Sequence, residues 1–155
     1  MSGKLTKFSR LSAEEKRYFL EAYLMLGLIR FAILTRPFKS LTRDLIQSPA
    51  AAEIPTVTLR QQKQAETIGR MVRIAAAHTP WESACLAQSL TVQKMLYRRQ
   101  IPGVFYLGAS RDREGSGEMK AHAWSQCGDV ILTGEAGYET FTILSVFRWE
   151  PLQGE

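Results

Sequence analysis

Cysteine and histidine are scarce in this sequence, two of each among 155 residues. Two cysteines, Cys85 and Cys127, cannot form a disulfide framework, and they have no regular spacing to other ligand types that would signal a zinc cluster. No cofactor or metal ion is therefore expected, and a reducing cytoplasm is the natural setting. No run of Lys and Arg exceeds two, as at Arg98–Arg99, so the net charge of +5 lacks the concentrated stripe of a nucleic-acid reader. The N-terminus lacks the basic, apolar and small order of a secretory signal. The longest uncharged run in the first apolar segment, residues 22–29, is far below the ~20 residues that cross a bilayer, so no membrane span is expected. No internal repeat or low-complexity tract is visible.

What is present suits a soluble globular chain: 45% hydrophobic and 23% charged residues, at a length that one compact domain accommodates. Residues 1–10 are polar and read as loose. Ser12 with Glu15 three residues on has the capping-box pattern, so a helix starts there. Leu20, Leu24, Leu28 and Phe31 repeat at helical spacing with Tyr23, Gly27 and Arg30 alongside, which reads as a core helix. That helix is apolar over more than half its circumference. It is either packed on two sides or shows a sticky face to a partner. Thr35–Arg36–Pro37 ends it, and residues 38–46 read as a short second helix with Lys39 and Arg43 exposed.

Residues 47–58, with two prolines and the run Pro49–Ala50–Ala51–Ala52, form a connector. Residues 59–78 read as a helix with Ile68, Met71, Val72 and Ala75 on one face and His78 at its end, where a cation suits the dipole. Thr79–Pro80–Trp81–Glu82 has the form of another helix start, with Ser83 as an alternative cap. Either way Cys85 falls in the first or second turn of a helix reaching about residue 99, stopped by Gln100–Ile101–Pro102–Gly103.

Beyond Gly103 the period changes from helix to strand. Strands are expected at 104–109, 118–127, 130–133 and 142–147, with loops at 111–117 and 134–140 and a turn at Gly128–Asp129. Helices followed by an antiparallel meander define an α+β class. The expected organisation is one domain over 1–155, with a helical part at 1–78 and a Cys–His core at 79–147.

The stretch Ala121–His122–Ala123–Trp124 is the centre of the chemical reading. By the period of two, Lys120, His122, Trp124 and Gln126 share one face of their strand, and Met119, Ala121, Ala123, Ser125 and Cys127 the other. A thiol near a helix N-terminus has unpaired N–H groups and a positive dipole end to stabilise a thiolate and an oxyanion, so Cys85 is the candidate nucleophile and His122 its base. Cys127 lies on the opposite face from His122 and reads as a buried small residue. A third group usually fixes the imidazole tautomer. A two-residue turn at Gly128–Asp129 pairs Cys127 with Val130, and counting outward sets His122 opposite Glu135. One slip of register substitutes Gly134, while Asp129 sits at the turn tip, out of reach.

These residues resemble the leader peptidases (B2 proteins) of lasso-peptide biosynthesis, within the transglutaminase-like cysteine peptidase superfamily. The matching pieces are Cys85–Leu86, Ser89–Leu90, Leu96–Tyr97–Arg98–Arg99–Gln100–Ile101–Pro102, Leu107–Gly108, Ala121–His122–Ala123–Trp124, and 134–144 with Phe141. The resemblance implies a papain-like helix-plus-sheet core with Cys85 as nucleophile and His122 as base. Many such relatives offer an aspartate on the strand beside the histidine strand, where this chain reads Thr133–Gly134–Glu135. The third member is thus a glutamate substitute, Asp129, a backbone carbonyl, or nothing. The resemblance also implies removal of a precursor's leader peptide, a separate leader-recognition protein (B1 type) and a macrolactam cyclase acting afterwards. A Cys–His acyltransferase acting on a peptide, and a catalytically silent adaptor of the same pathway, are the competing readings.

Overall fold

The computed structural model describes residues 2–48, 53–111 and 117–150, with side chains from residue 6 onward. The small-residue run 49–52 of the expected connector and residues 112–116 of the expected charged loop lie outside the described residues. The element order is α1 (Ser2–Ser9), α2 (Ala13–Thr35), α3 (Phe38–Leu41), β1 (Ile46–Ser48), α4 (Leu59–Ala76), α5 (Cys85–Arg98), β2 (Gly103–Arg111), β3 (Met119–Cys127), β4 (Val130–Thr133) and β5 (Thr142–Trp149). Helices followed by a small antiparallel five-stranded sheet confirm the α+β class.

α1 replaces the expected loose start. α2 begins at the anticipated capping box: the Glu15 N–H donates to Ser12 Oγ at 3.1 Å and the Ser12 N–H to Glu15 Oε2 at 3.0 Å. The face that packs is not the one the leucine repeat suggested. Tyr18, Ala22, Leu26 and Ile29 are buried, whereas Leu20, Leu24, Leu28, Phe31 and Leu34 are exposed. Polar pairing explains the choice. Glu21 accepts from both Arg98 and Arg99, and Gln64 Nε2 donates to the Tyr18 hydroxyl at 3.0 Å, so these contacts turn the Tyr18–Ala22 side toward α4 and α5. By length and composition α2 is also long and apolar enough to cross a membrane, which the count of uncharged residues had excluded.

The second helix is a single turn, α3. After it Ile46–Ser48 forms β1, an edge strand paired with β5, because an extended segment beside Val146–Arg148 satisfies that strand's outer backbone groups. α4 starts at a second capping box, Thr58 with Gln61, and buries Ala65, Ile68, Gly69, Met71, Val72 and Ala75. It stops at Ala76, and His78 Nδ1–H donates to the Ile74 carbonyl at 2.8 Å.

α5 begins later than Thr79–Pro80 suggested. Its N-cap is Ala84, which has no side-chain capping bond. The Thr79 hydroxyl is engaged instead with the Trp81 carbonyl at 3.0 Å and Ser83 Oγ at 2.7 Å, holding 79–83 as a loop. Gln100, at φ 60°, ends the helix.

The sheet order is β1-β5-β2-β3-β4. Its two faces alternate as the strand period requires. Phe105, Cys127, Leu132, Phe147 and Trp149 join the helices in the main core. Val104, Tyr106, Trp124 and Val146 form a second cluster with Tyr138, Phe141 and Ile143; none of these comes from an α-helix, and Tyr138 opens a single 3-10 turn, Tyr138–Thr140, between β4 and β5.

Candidate functional site

Cys85 is the first residue of α5 and is half-buried. With no capping side chain at Ala84, the opening N–H groups of the helix are left without a partner from that residue. One turn along, Ser89 Oγ lies 3.4 Å from Thr133 Oγ1, which in turn lies 2.5 Å from Ser125 Oγ. This chain of three fully buried hydroxyls ties α5 to the ends of β4 and β3. At the far end of the same helix Cys127 Sγ donates to the Pro102 carbonyl at 3.5 Å. α5 and β3 therefore run side by side in the same direction. Cys85 precedes Ser89 by ~6 Å of helix, and His122 precedes Ser125 by ~10 Å of strand. Both lie at the same end of the pair.

The register around His122 is set by a bulge. Cys127 pairs with Val130 and Gln126 with Ile131, as counted from the turn, but Ser125 then pairs with Thr133. The extra residue ends the β4 ladder at Thr133, so no strand residue stands opposite His122 on that side. The chain continues at Gly134 with φ 75°, and a Cβ there would lie 2.4 Å from the Ala123 carbonyl oxygen. Only glycine fits both the left-handed backbone and this approach. The result is that His122 Nε2 lies 2.8 Å from the Gly134 carbonyl. A carbonyl only accepts, so Nε2 carries the proton and the neutral ring presents a bare Nδ1.

The ring is held between aromatic neighbours, with Trp124 stacked at 5.6 Å and Phe141 at 4.9 Å. Its strand partner on the other side is Gly108, where a Cβ would meet Trp124 at 2.9 Å and Phe141 at 3.0 Å. The missing side chain makes room for this aromatic nest. The His122 ring stacks on Trp124, whose face of the sheet is the one opposite α5. Among the described residues no hydrogen bond joins Cys85 to His122.

Glu135 is exposed and makes no hydrogen bond to His122; it lines a polar groove between α4 and β4 with Asp129, Glu66, Arg70 and Arg73. Asp129 is at the hairpin turn, remote along β3 from His122. Cys127 is fully buried, and burial, with a further contribution from the Glu66 charge, pushes its thiol up to about 11. Among the described residues no cluster of three His, Cys, Asp or Glu side chains is arranged to hold a metal ion. The hydroxyl chain was not assigned from sequence, whereas two alternatives left open there, a register slipped to Gly134 and a backbone carbonyl, meet in the Gly134 carbonyl. The signal for the latter was a glycine immediately after a strand, where a turn needs positive φ.

The loop before Cys85 is anchored by Trp81, which packs edge-on against Tyr23 at 5.3 Å and would lie 3.1 Å from a Cβ at Gly27. The half-buried Arg30 and the exposed Glu82 form an ion pair at 3.5 Å beside it. The nucleophile's loop thus rests on α2.

No curated protein and no solved structure matches the chain. A family model described as Transglutaminase-like superfamily matches residues 25–146, from the middle of α2 to β5, and takes in the helix start at Cys85 and the histidine strand. On that match, which spans most of the sequence, the chain belongs to the transglutaminase-like superfamily.

Proposed function

We propose that the protein is a cysteine peptidase that removes the leader peptide from a ribosomally made lasso-peptide precursor, with Cys85 as nucleophile and His122 as general base. The superfamily includes cysteine peptidases and acyltransferases, and the leader-peptidase reading rests on the resemblance of the Cys85 helix and the Ala121–His122–Ala123–Trp124 strand. The observation that carries the chemistry is the bond from His122 Nε2–H to the Gly134 carbonyl, which leaves Nδ1 as the proton acceptor.

In the proposed reaction Nδ1 takes the Cys85 thiol proton, and Sγ attacks the scissile carbonyl. Catalytic hydrogen bonds of this kind commonly tighten only when substrate is bound. Backbone N–H groups in the first turn of α5 receive the oxyanion. Collapse breaks the C–N bond, and the imidazolium returns its proton to the departing amine, the new N-terminus of the core peptide. Nδ1 then deprotonates water, which attacks the thioester; the C–S bond breaks, the leader leaves as a carboxylic acid, and the imidazolium returns its proton to Cys85 Sγ. The Gly134 carbonyl serves as the tautomer-fixing group in place of Glu135.

A leader-recognition protein of B1 type is the proposed partner, and a cyclase would consume the freed amine. Tethering the leader through that partner raises substrate at the site to about millimolar. The test is mass spectrometry of precursor incubated with the protein, with and without the recognition protein. Cleavage that disappears in Cys85→Ala and in His122→Ala, and persists in Cys127→Ser, is expected. Normal turnover by Cys85→Ala would sink the assignment. A folded parent protein that cleaves nothing in the presence of the recognition protein would favour the adaptor reading, and leader attached to an added amine would favour acyl transfer.

A further inference from the structure

We propose that the outward face of α2 is a docking ridge for an anionic lipid surface. Five large apolar side chains stand on it: Leu20, Leu24, Leu28, Phe31 and Leu34, each 55–69% exposed. At 100° per residue they fall within an arc of about 120°, and from first to last they span about 21 Å. Together they expose on the order of 600 Å², the upper end of what ordinary monomers show. Tyr18, Ala22, Leu26 and Ile29 on the opposite side are packed against α4 and α5, so the helix presents one side only and lies along a surface.

The charge around the ridge selects its occupant. Arg10 and Arg17 lie towards its N-terminal end, and Arg36, Lys39 and Arg43 towards its C-terminal end; all are exposed, and none is in an ion pair among the described residues. Two exposed carboxylates, Glu14 and Asp44, share these ends. The other acids of α2 are turned inward, Glu15 to Arg70 and Glu21 to Arg98 and Arg99. An exposed leucine-rich stripe with basic residues towards both ends supplies the two terms that hold a protein at a lipid interface, buried apolar area and attraction to anionic headgroups. Protein hot spots centre instead on Trp, Tyr and Arg, with Leu under-represented. Self-association is disfavoured: because both ends are basic, pairing two ridges in either direction opposes like charges.

Docking in this way would set the Trp81 loop, and Cys85 after it, beside the headgroups. The proposal itself stands apart from the peptidase chemistry, and its test reads no activity. The full-length protein is sedimented with vesicles of phosphatidylcholine mixed with phosphatidylglycerol, and with phosphatidylcholine alone. Expected are binding to the mixed vesicles, weak binding to the neutral ones, and loss of binding as salt is raised. Leu24→Glu and Leu28→Glu, at exposed positions that leave the circular dichroism spectrum intact, should each weaken partitioning tenfold or more. Arg36→Glu with Lys39→Glu should weaken binding to mixed vesicles with the leucines in place. Protein left in the supernatant with mixed vesicles, or Leu24→Glu binding like the parent, would overturn the proposal. So would a ridge-dependent dimer, or a ridge-dependent complex with an acidic protein, without vesicle binding.

Discussion

Replacing Thr133 by valine tests whether the hydroxyl chain joining α5 to the sheet corner stabilises the fold. The substitution keeps the β-branched shape and removes one oxygen. That oxygen lies 2.5 Å from Ser125 Oγ and 3.4 Å from Ser89 Oγ, and all three groups are fully buried. Without it, both serine hydroxyls lose their partner in a place water does not reach. A buried hydroxyl left unsatisfied costs about 1–3 kcal/mol, and the longer Ser89 contact belongs at the low end of that range. The expected loss is therefore about 2–4 kcal/mol, a large part of the roughly 5–15 kcal/mol that holds an ordinary domain folded. Urea unfolding followed by circular dichroism measures it as a fall in midpoint at unchanged slope. Adding Ser125→Ala to Thr133→Val removes one of the orphaned groups, so the double variant should be more stable than the sum of the single losses predicts. A Thr133→Val loss below ~0.5 kcal/mol, within the range of ordinary surface substitutions, would refute the reasoning.

Glu135→Gln should leave leader cleavage near the parent rate, because the carboxylate makes no bond to His122, whereas Gly134→Ala should suppress it. A Cβ at Gly134 adds about 1–2 kcal/mol of left-handed strain to a collision with the Ala123 carbonyl, and displaces the acceptor of Nε2–H; initial rates on the precursor decide, and a large drop in Glu135→Gln would restore the carboxylate as third member. Burial, aided by the Glu66 charge, raises the Cys127 thiol from its ordinary 9.0 to about 11, so it favours the neutral thiol in the folded state. Its contribution is whole below pH 9 and is lost as pH rises through about 11, amounting to on the order of 2–3 kcal/mol; Cys127→Ala should flatten that part of the alkaline stability curve in urea titrations at successive pH values, and an unchanged slope would count against a buried neutral thiol.

Much of the architecture was legible because its causes are local. Ser12 and Glu15 form a capping box three residues apart, and the Ile68, Met71, Val72 and Ala75 face of α4 follows from helical spacing. The change of period after Gly103 announced the meander, and the hairpin at Gly128–Asp129 has the counted register over its first two pairs. Cys85 at a helix start and His122 on the Trp124 side of its strand also follow from short-range pattern.

Contacts distant in sequence decided the rest. α2 is apolar over more than half its circumference, so its leucine spacing alone did not determine which side faces inward; Glu21 meeting Arg99, 78 positions away, helped to select it. Ile46–Ser48 became a strand because β5, about a hundred residues later, offered an unpaired edge. Thr79 and Ser83 looked like helix caps, but their hydroxyls bond to each other and leave α5 to begin uncapped. At His122 a single bulged residue shifted the partner from a carboxylate to the Gly134 carbonyl. Residue pattern determines what a segment can form over a few positions, while register, facing and the third group at the imidazole are set by whichever distant backbone satisfies the remaining hydrogen bonds.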